Sequence, residues 1–298
     1  TDEATVSSIC HSKKTEVPNI TQSNAYRYAG DKETGRNFSL ILIRVVTAVT
    51  LFAVLGLANV WLDTTTNTVL ALGYRFGLIF LPLTLAVAGS RSLVASLVFM
   101  AGGAALLSMQ ESIFSSLIAA CLFSYGAAIS GYLIKNAAAQ TKKGAANNRI
   151  AMNLGAFVAG LVIMLPLLTP PLFFWSAAGL VAICGLIAIR RTVDVSTIHV
   201  KVFEGQSPST LFAWILVGTA MGMMLFGVFS VLPQTILKTS SALPGWYGAM
   251  IILNSAVVIF GQIPSVLLIE KMGHYRMAII SGFVSVGFML LAFPEFFH

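Results

Sequence analysis

Two arginines lie inside long apolar stretches of this sequence, where a charged side chain is most able to do chemistry. Arg75 lies about 10 Å below Thr68, at 1.5 Å per helical residue. A planar guanidinium that faces a water-filled cavity grips a carboxylate or phosphate in bidentate fashion, which predicts an anion-binding role for Arg75. The competing interpretation is structural, because Arg75 could snorkel outward or pair with Asp63 or Glu111.

The second arginine, Arg44, lies about 9 Å from the start of its apolar stretch at Phe38. An arginine at the centre of a membrane helix costs about 2.5–3.5 kcal/mol on insertion scales. The flexible methylene stem of an arginine can avoid that cost by placing the guanidinium at the membrane surface. We therefore expect Arg44 to snorkel to the membrane surface.

Four uncharged polar residues join Arg75 in the predicted substrate-binding set: Tyr74, Asn254, Asn59 and Gln234. Asn254 lies seven residues into its stretch, at a depth like that of Arg75. For each of the four, a hydrogen bond between helices is the competing interpretation, because polar side chains commonly join helices in membranes.

Carboxylates and histidines are absent from the middle of the apolar stretches. Asp63, Glu111 and Glu270 lie at the ends of stretches, and the four histidines lie outside them. A proton relay across a bilayer usually needs a buried carboxylate or histidine, so proton coupling is not supported. No His, Cys or acidic cluster has metal-ligand spacing and no nucleophile lies beside a base, so we predict neither an enzyme nor a cofactor or metal.

The elements that would position these residues are membrane helices. Of the 298 residues, 57% are apolar and 10% are charged, and the mean hydropathy is +0.86. One soluble core cannot bury so much apolar surface, which excludes a soluble enzyme, a disordered protein and a nucleic-acid-binding domain. A bilayer crossing needs roughly 20 apolar residues, and we predict an all-α integral membrane protein with about nine transmembrane helices, at 38–62, 68–89, 92–109, 113–135, 150–169, 172–190, 210–233, 247–269 and 276–293.

The distribution of basic residues predicts the orientation. With the N-terminus cytoplasmic, the cytoplasmic segments hold 15 of the 18 lysines and arginines, and the outer segments hold only Lys238. This bias follows the positive-inside rule, so it accounts for the net charge of +7 without a nucleic-acid partner. We expect a plasma (inner) membrane protein with a cytoplasmic N-terminus.

Four regions are predicted along the chain: a flexible cytoplasmic tail (1–36), an N-terminal six-helix bundle (37–190), a cytoplasmic loop between bundles (191–209) and a partial C-terminal bundle of three helices (210–298). An internal repeat supports the division. The ends of the first and seventh segments align at an offset of 171 residues, where glycine, valine and threonine coincide: Gly56, Val60 and Thr64 with Gly227, Val231 and Thr235.

The segment from Glu270 to Arg276 is similar to the acidic-basic-x-Gly-basic loop after the eighth helix of major facilitator superfamily transporters. Gly126 and Gly131 resemble that family's glycine-rich fourth helix, and the resemblance covers about residues 38–298. It implies a major-facilitator-like helical bundle. It also implies a gating loop that braces a neighbouring helix end, formed by Glu270, Lys271, Gly273 and Arg276.

This chain departs from the family pattern at three points. The loop after the second segment keeps Gly89 and Arg91 but lacks the acidic residue, and Leu122 stands where proton-coupled exporters carry arginine. The family usually has twelve helices, and nine are predicted here.

Two functions follow from the sequence. The first is a membrane transporter of small anionic or amphipathic solutes that works by alternating access. The alternative is a transport-inactive major-facilitator-like scaffold or assembly partner, in which another membrane chain completes the second bundle. The expected partners are the lipid bilayer, a small-molecule substrate and, in the alternative, that second chain.

Overall fold

A computed structural model describes residues 20–109, 112–138, 142–165, 169–190, 227–240 and 242–273, with a few single positions between 209 and 280. Side chains are described from Phe38 onward. Each regular element in these ranges is helical, which confirms the predicted all-α class for them. The predicted stretches at 210–233 and 276–293 fall largely outside the described residues, so the count of nine helices stays a prediction.

Nine α-helices are described, and their bounds are α1 Ile20–Trp61, α2 Thr64–Phe76, α3 Leu81–Ala88, α4 Ser92–Leu107, α5 Ile113–Ala138, α6 Lys142–Met164, α7 Pro170–Ile189, α8 Leu232–Leu237 and α9 Gly245–Met272. Short 3-10 helices at Gly77–Phe80 and Gly89–Arg91 join α2 to α3 and α3 to α4. A π-helical turn at Gly227–Val231 runs into α8.

Five spans are long and apolar enough to cross a membrane: Phe38–Trp61, Thr64–Leu107, Ile113–Ala138, Pro170–Ile189 and Gly245–Ile269. They indicate a membrane protein. Large apolar side chains such as Ile79, Val87 and Phe260 are exposed along them, as lipid-facing positions would be.

The 44-residue span Thr64–Leu107 turns back on itself. The Ser92 hydroxyl donates to the Thr84 carbonyl at 3.4 Å, whereas eight residues of straight helix would separate these positions by about 12 Å. Gly89 makes the turn with a φ of 51°, a left-handed conformation that favours glycine. The predicted division into separate segments at 68–89 and 92–109 matches this turn.

The predicted helix at 68–89 differs from the structure in its middle. α2 ends at Phe76, and α3 begins at Leu81 with Pro82 in its first turn. Proline has no N–H to donate to the preceding turn, which accounts for the local 3-10 winding.

Glycines set how closely the helices pack. α4 packs against α5 and α7, α2 packs against α5, and α6 packs against α9. A Cβ on Gly103 would lie 2.7 Å from the Ala119 carbonyl oxygen, so α4 and α5 touch through their backbones. In lipid there is no hydrophobic drive between helices, and such close packing contributes much of their association.

The chain divides into two compact units, Thr1–Phe38 and Ser39–His298. In the first unit the backbone is helical from Ile20, within the segment that the sequence predicts to be a flexible tail. In the second unit one core of buried apolar residues runs through α1 to α7 and includes residues of the π-helical turn and α9. Leu93, Leu97, Phe123 and Phe174 are among its fully buried members.

Candidate functional site

Arg75 lies on an exposed face of α2. Its guanidinium carbon is 5.7 Å from the centroid of the Tyr74 ring, a distance typical of a cation–π contact. The apolar side chains of Leu72 and Phe76 beside it are also exposed. Asn254 is likewise exposed, on α9, and Gln234 is half-buried in α8.

Arg44 is the buried arginine, contrary to the expectation that it snorkels. Its side chain is 6% exposed. Nη2 donates to the sulphur of Met152 on α6 at 3.1 Å, and Nε has no hydrogen-bond partner. The Tyr74 phenol of α2 is within electrostatic reach of the guanidinium. The expectation was wrong because α5 and α6 cover the guanidinium, and the sequence alone does not reveal that cover.

Gly131 on α5 makes room for the Arg44 guanidinium. A Cβ at this position would lie 2.7 Å from Nη1. The glycine that the sequence assigns to the fourth-helix pattern therefore leaves room for a charged side chain against the α5 backbone.

The carboxylate of Asp63 is too far along α1 to compensate Arg44. Nineteen residues separate the two, about 28 Å along a helix. Asp63 instead caps α2, accepting from the Thr66 backbone N–H at 2.9 Å and from the Thr66 hydroxyl at 2.5 Å. It is the sole acidic residue whose side chain is among those described.

A second polar group, the outer cluster, lies at the Trp61 end of α1, the end assigned to the outside. It consists of Asn59, Asn67, Val228, Phe229 and Tyr247. The Asn59 amide donates to the Phe229 carbonyl at 3.0 Å, and the Asn67 amide donates to Asn59 Oδ1. The Tyr247 hydroxyl donates to the Val228 carbonyl at 3.0 Å. The cluster thus joins α1, α2 and α9 to the π-helical turn.

The outer cluster places Asn59 beside the turn that contains its repeat partner. The 171-residue offset pairs Asn59 with Ser230, and Asn59 bonds to Phe229, the residue before Ser230. Ser230 is buried, and its hydroxyl has no partner among the described residues. The rings of Phe52 and Phe229, which the repeat does not align, also meet, with centroids 5.1 Å apart.

The predicted gating loop begins where α9 ends. Gly273 has a φ of 85° and its N–H donates to the Ile269 carbonyl at 2.8 Å, so a glycine is needed to end this helix. Lys271 is exposed in the last turn, where a cation interacts favourably with the helix dipole, and Arg276 is exposed beyond it. The Glu270 side chain and any partner that it braces lie outside the described residues.

An apolar cavity lies apart from the two arginines. A cavity of about 600 Å³ between α4 and α7 is lined by apolar side chains and glycines, including Leu97, Val98 and Trp175. Within the described ranges, no three His, Cys, Asp or Glu residues are grouped to hold a metal ion.

Comparison with known proteins gives no family model, no curated protein and no solved structure that matches this chain. The resemblance to major facilitator transporters therefore rests on the motifs of the sequence.

Proposed function

We propose that this chain is an alternating-access transporter of small solutes, of the major facilitator type, in the plasma (inner) membrane. Two helical bundles would rock about a site near the middle of the membrane. The support comes from the apolar helices, the internal repeat, the loop that follows α9 and the arrangement of the outer cluster.

The observation that carries the proposal is the contact at the outer cluster between Asn59 and the neighbour of its repeat partner Ser230. α1 reaches the turn that contains Ser230 through a hydrogen bond from Asn59 to Phe229 and an aromatic contact between Phe52 and Phe229. The net contribution of one hydrogen bond to stability is only about 0.5–1.5 kcal/mol. Such a contact can therefore hold the outer side of a transporter closed and still break when that side opens. Alternating access needs a contact of this kind on each side of the membrane.

A second contact suits a pivot between the two halves. A Cβ on Gly160 of α6 would lie 2.9 Å from the Gly248 carbonyl oxygen, and one on Gly248 of α9 would lie 2.7 Å from the Gly160 carbonyl oxygen. The helices approach closely there, and the side chains of Met164 and Ile252 lie against the two glycines. Small residues in membrane helices allow such close approach.

The test is to lock the outer cluster and measure accessibility on the inner side. In a background without the three native cysteines, Asn59→Cys and Ser230→Cys are joined by a short bifunctional thiol reagent. The reporter is Asn136→Cys, half-buried at the inner end of α5. We expect the lock to change the rate at which a thiol reagent labels the reporter at least threefold, because closing one side biases the equilibrium of the whole molecule.

The control lock joins Ser112→Cys, at an exposed position, to Ser115→Cys, at a half-buried position of the same half, and the two native hydroxyls are 3.2 Å apart. This lock should leave the reporter rate unchanged. Equal reporter rates with and without the outer lock would contradict alternating access.

The alternative function is a transport-inactive scaffold, and the exposed face of α9 favours it. Leu253, Val257 and Phe260 are all exposed on this helix, where another membrane chain could pack. If the chain is a scaffold, the labelling rate of the reporter cysteine should be the same with and without the outer lock. A second chain should also copurify with it through contacts on α9.

A further inference from the structure

Among the residues that the structure describes, the buried Arg44 has no partner charge. Its guanidinium stays protonated at all physiological pH values. Breaking a buried ion pair is strongly destabilising because an uncompensated charge remains, and within the described residues Arg44 is uncompensated in the same way. The described groups that interact with its nitrogens are the Met152 thioether, the Gly131 backbone and the Tyr74 phenol.

The Nε–Nη2 edge of the guanidinium, which can bind a carboxylate, has no strong hydrogen-bond acceptor among the described residues. A carboxylate can bind side-on to Nε and Nη2 through two parallel N–H···O bonds. Here Nε has no partner, and Nη2 has only the Met152 sulphur, which is a weak acceptor. The opposite nitrogen, Nη1, lies against Gly131.

The chain offers no acid at this level of the membrane between residues 38 and 190. The two acidic residues in that range are Asp63 and Glu111, and both lie at predicted outer ends. Arg44 is near the opposite end of α1, and one bound anion would supply its missing charge.

We propose that Arg44 binds the transported solute and that this solute is a small organic monocarboxylate. The inference rests on the proposed function and names its substrate class. A single guanidinium matches a single negative charge, and the contact with Met152 favours a ligand with an apolar remainder. The phenol of Tyr74 can donate to the carboxylate as well.

The experiment measures ligand-induced stabilisation of the full chain in detergent. The probes are the sodium salts of acetate, butyrate and hexanoate, compared with chloride and inorganic phosphate at equal ionic strength. We expect at least one monocarboxylate to raise the unfolding midpoint by a few degrees, because a ligand that binds only the folded state stabilises it. Chloride and phosphate should have no such effect.

Three variants locate the site. Arg44→Gln should abolish the shift, and Arg44→Lys, which keeps the charge but not the fork, should raise the apparent Kd at least tenfold. Arg190→Gln, which removes an exposed arginine at the end of α7, should keep the shift. Without ligand, Arg44→Gln should be at least as stable as the parent, because it removes an uncompensated charge.

Other outcomes overturn the inference. If no monocarboxylate raises the midpoint, or if Arg44→Gln retains the shift, Arg44 does not bind such a solute. Loss of the shift in Arg75→Gln alone would move the anion site to Arg75. If Arg44→Gln fails to fold, Arg44→Lys decides, and an unchanged Kd in that variant contradicts the proposal. The thiol-accessibility test uses no anion, so failure of the substrate class and failure of alternating access are distinguishable.

Discussion

Arg44 and Arg75 are the two arginines in the interior of predicted membrane segments, and the structure gives them opposite surroundings. Arg75 is exposed beside an aromatic ring, whereas Arg44 lies between three helices against a glycine. A clue was present in the sequence, because Gly131 lies seven residues from the inner end of α5 and Arg44 lies six residues from Phe38. Equal depth alone does not say that α1 and α5 are neighbours, and so the sequence did not reveal the burial of Arg44.

Asp63 stabilises α2 as its N-cap residue. Partial burial raises the pKa of its carboxyl group, but the hydrogen bonds from Thr66 and the backbone outweigh that effect, and the pKa lies below its ordinary value. A carboxyl group with a lowered pKa in the folded state stabilises the fold above its unfolded pKa of about 3.9. That contribution is lost as the pH falls through the lower, folded value.

Replacing Asp63 by alanine should therefore lower the free energy of unfolding by about 1 kcal/mol at neutral pH, a typical cost for losing an N-cap. Asp63→Asn is the matched control, because asparagine also caps but does not titrate. Thermal unfolding between pH 3 and pH 7 checks both. The difference between the parent and Asp63→Asn should shrink as the pH falls below about 4, and a constant difference would contradict the role of the charge.

Two adjacent glycines on α4, Gly102 and Gly103, allow a matched test of how closely this helix packs. Gly103→Ala would place a methyl group against the backbone of α5, near Ala119 and Phe123, whereas a methyl group on Gly102 would meet nothing within 4 Å. Overpacking a tight contact costs about 1–3 kcal/mol. We expect Gly103→Ala to lower stability by about that amount, measured by unfolding in mixed micelles.

Gly102→Ala should be neutral or slightly stabilising, because alanine favours helix more than glycine does. Similar destabilisation by the two substitutions would show that α4 and α5 do not approach as closely as described. The comparison separates backbone contact from helix propensity, since the two positions are adjacent on one helix.

The apolar pattern predicts where the helices lie better than where they begin. The predicted segment 92–109 corresponds to α4, Ser92–Leu107, and 172–190 corresponds to α7, Pro170–Ile189. α6 begins at Lys142 rather than near 150, because its first turns are polar and a search for apolar residues does not detect them. The expected arrangement of the helices into two bundles comes from the resemblance to a family, because the apolar pattern of single segments does not show which helices pack together.

At the scale of the whole molecule, the placement of basic residues makes a direct prediction about sidedness. Ser90 lies in the turn between α3 and α4, and Ser112 precedes α5, and both side chains are exposed. With the N-terminus cytoplasmic, Ser90 is inside and Ser112 is outside. In a background without native cysteines, Ser112→Cys should react with a membrane-impermeant thiol reagent in intact cells.

Ser90→Cys should react only after the cells are permeabilised. Ser240→Cys, in the exposed turn after α8, provides an independent check and should behave like Ser112→Cys. Labelling of Ser90→Cys in intact cells would reverse the orientation and with it the assignment of the outer cluster to the outside.

The contact between Gly160 and Gly248 has a consequence for the rate of movement. Glycine has no side chain, so the part of this contact that joins backbone to backbone freezes no rotamers when it forms. The side chains of Met164 and Ile252 lie against the two glycines, so a change of register there requires these two side chains to repack. In the proposed transport cycle, the enthalpic barrier to motion at this joint therefore comes from two side chains, and their repacking sets how steeply the motion slows as the temperature falls.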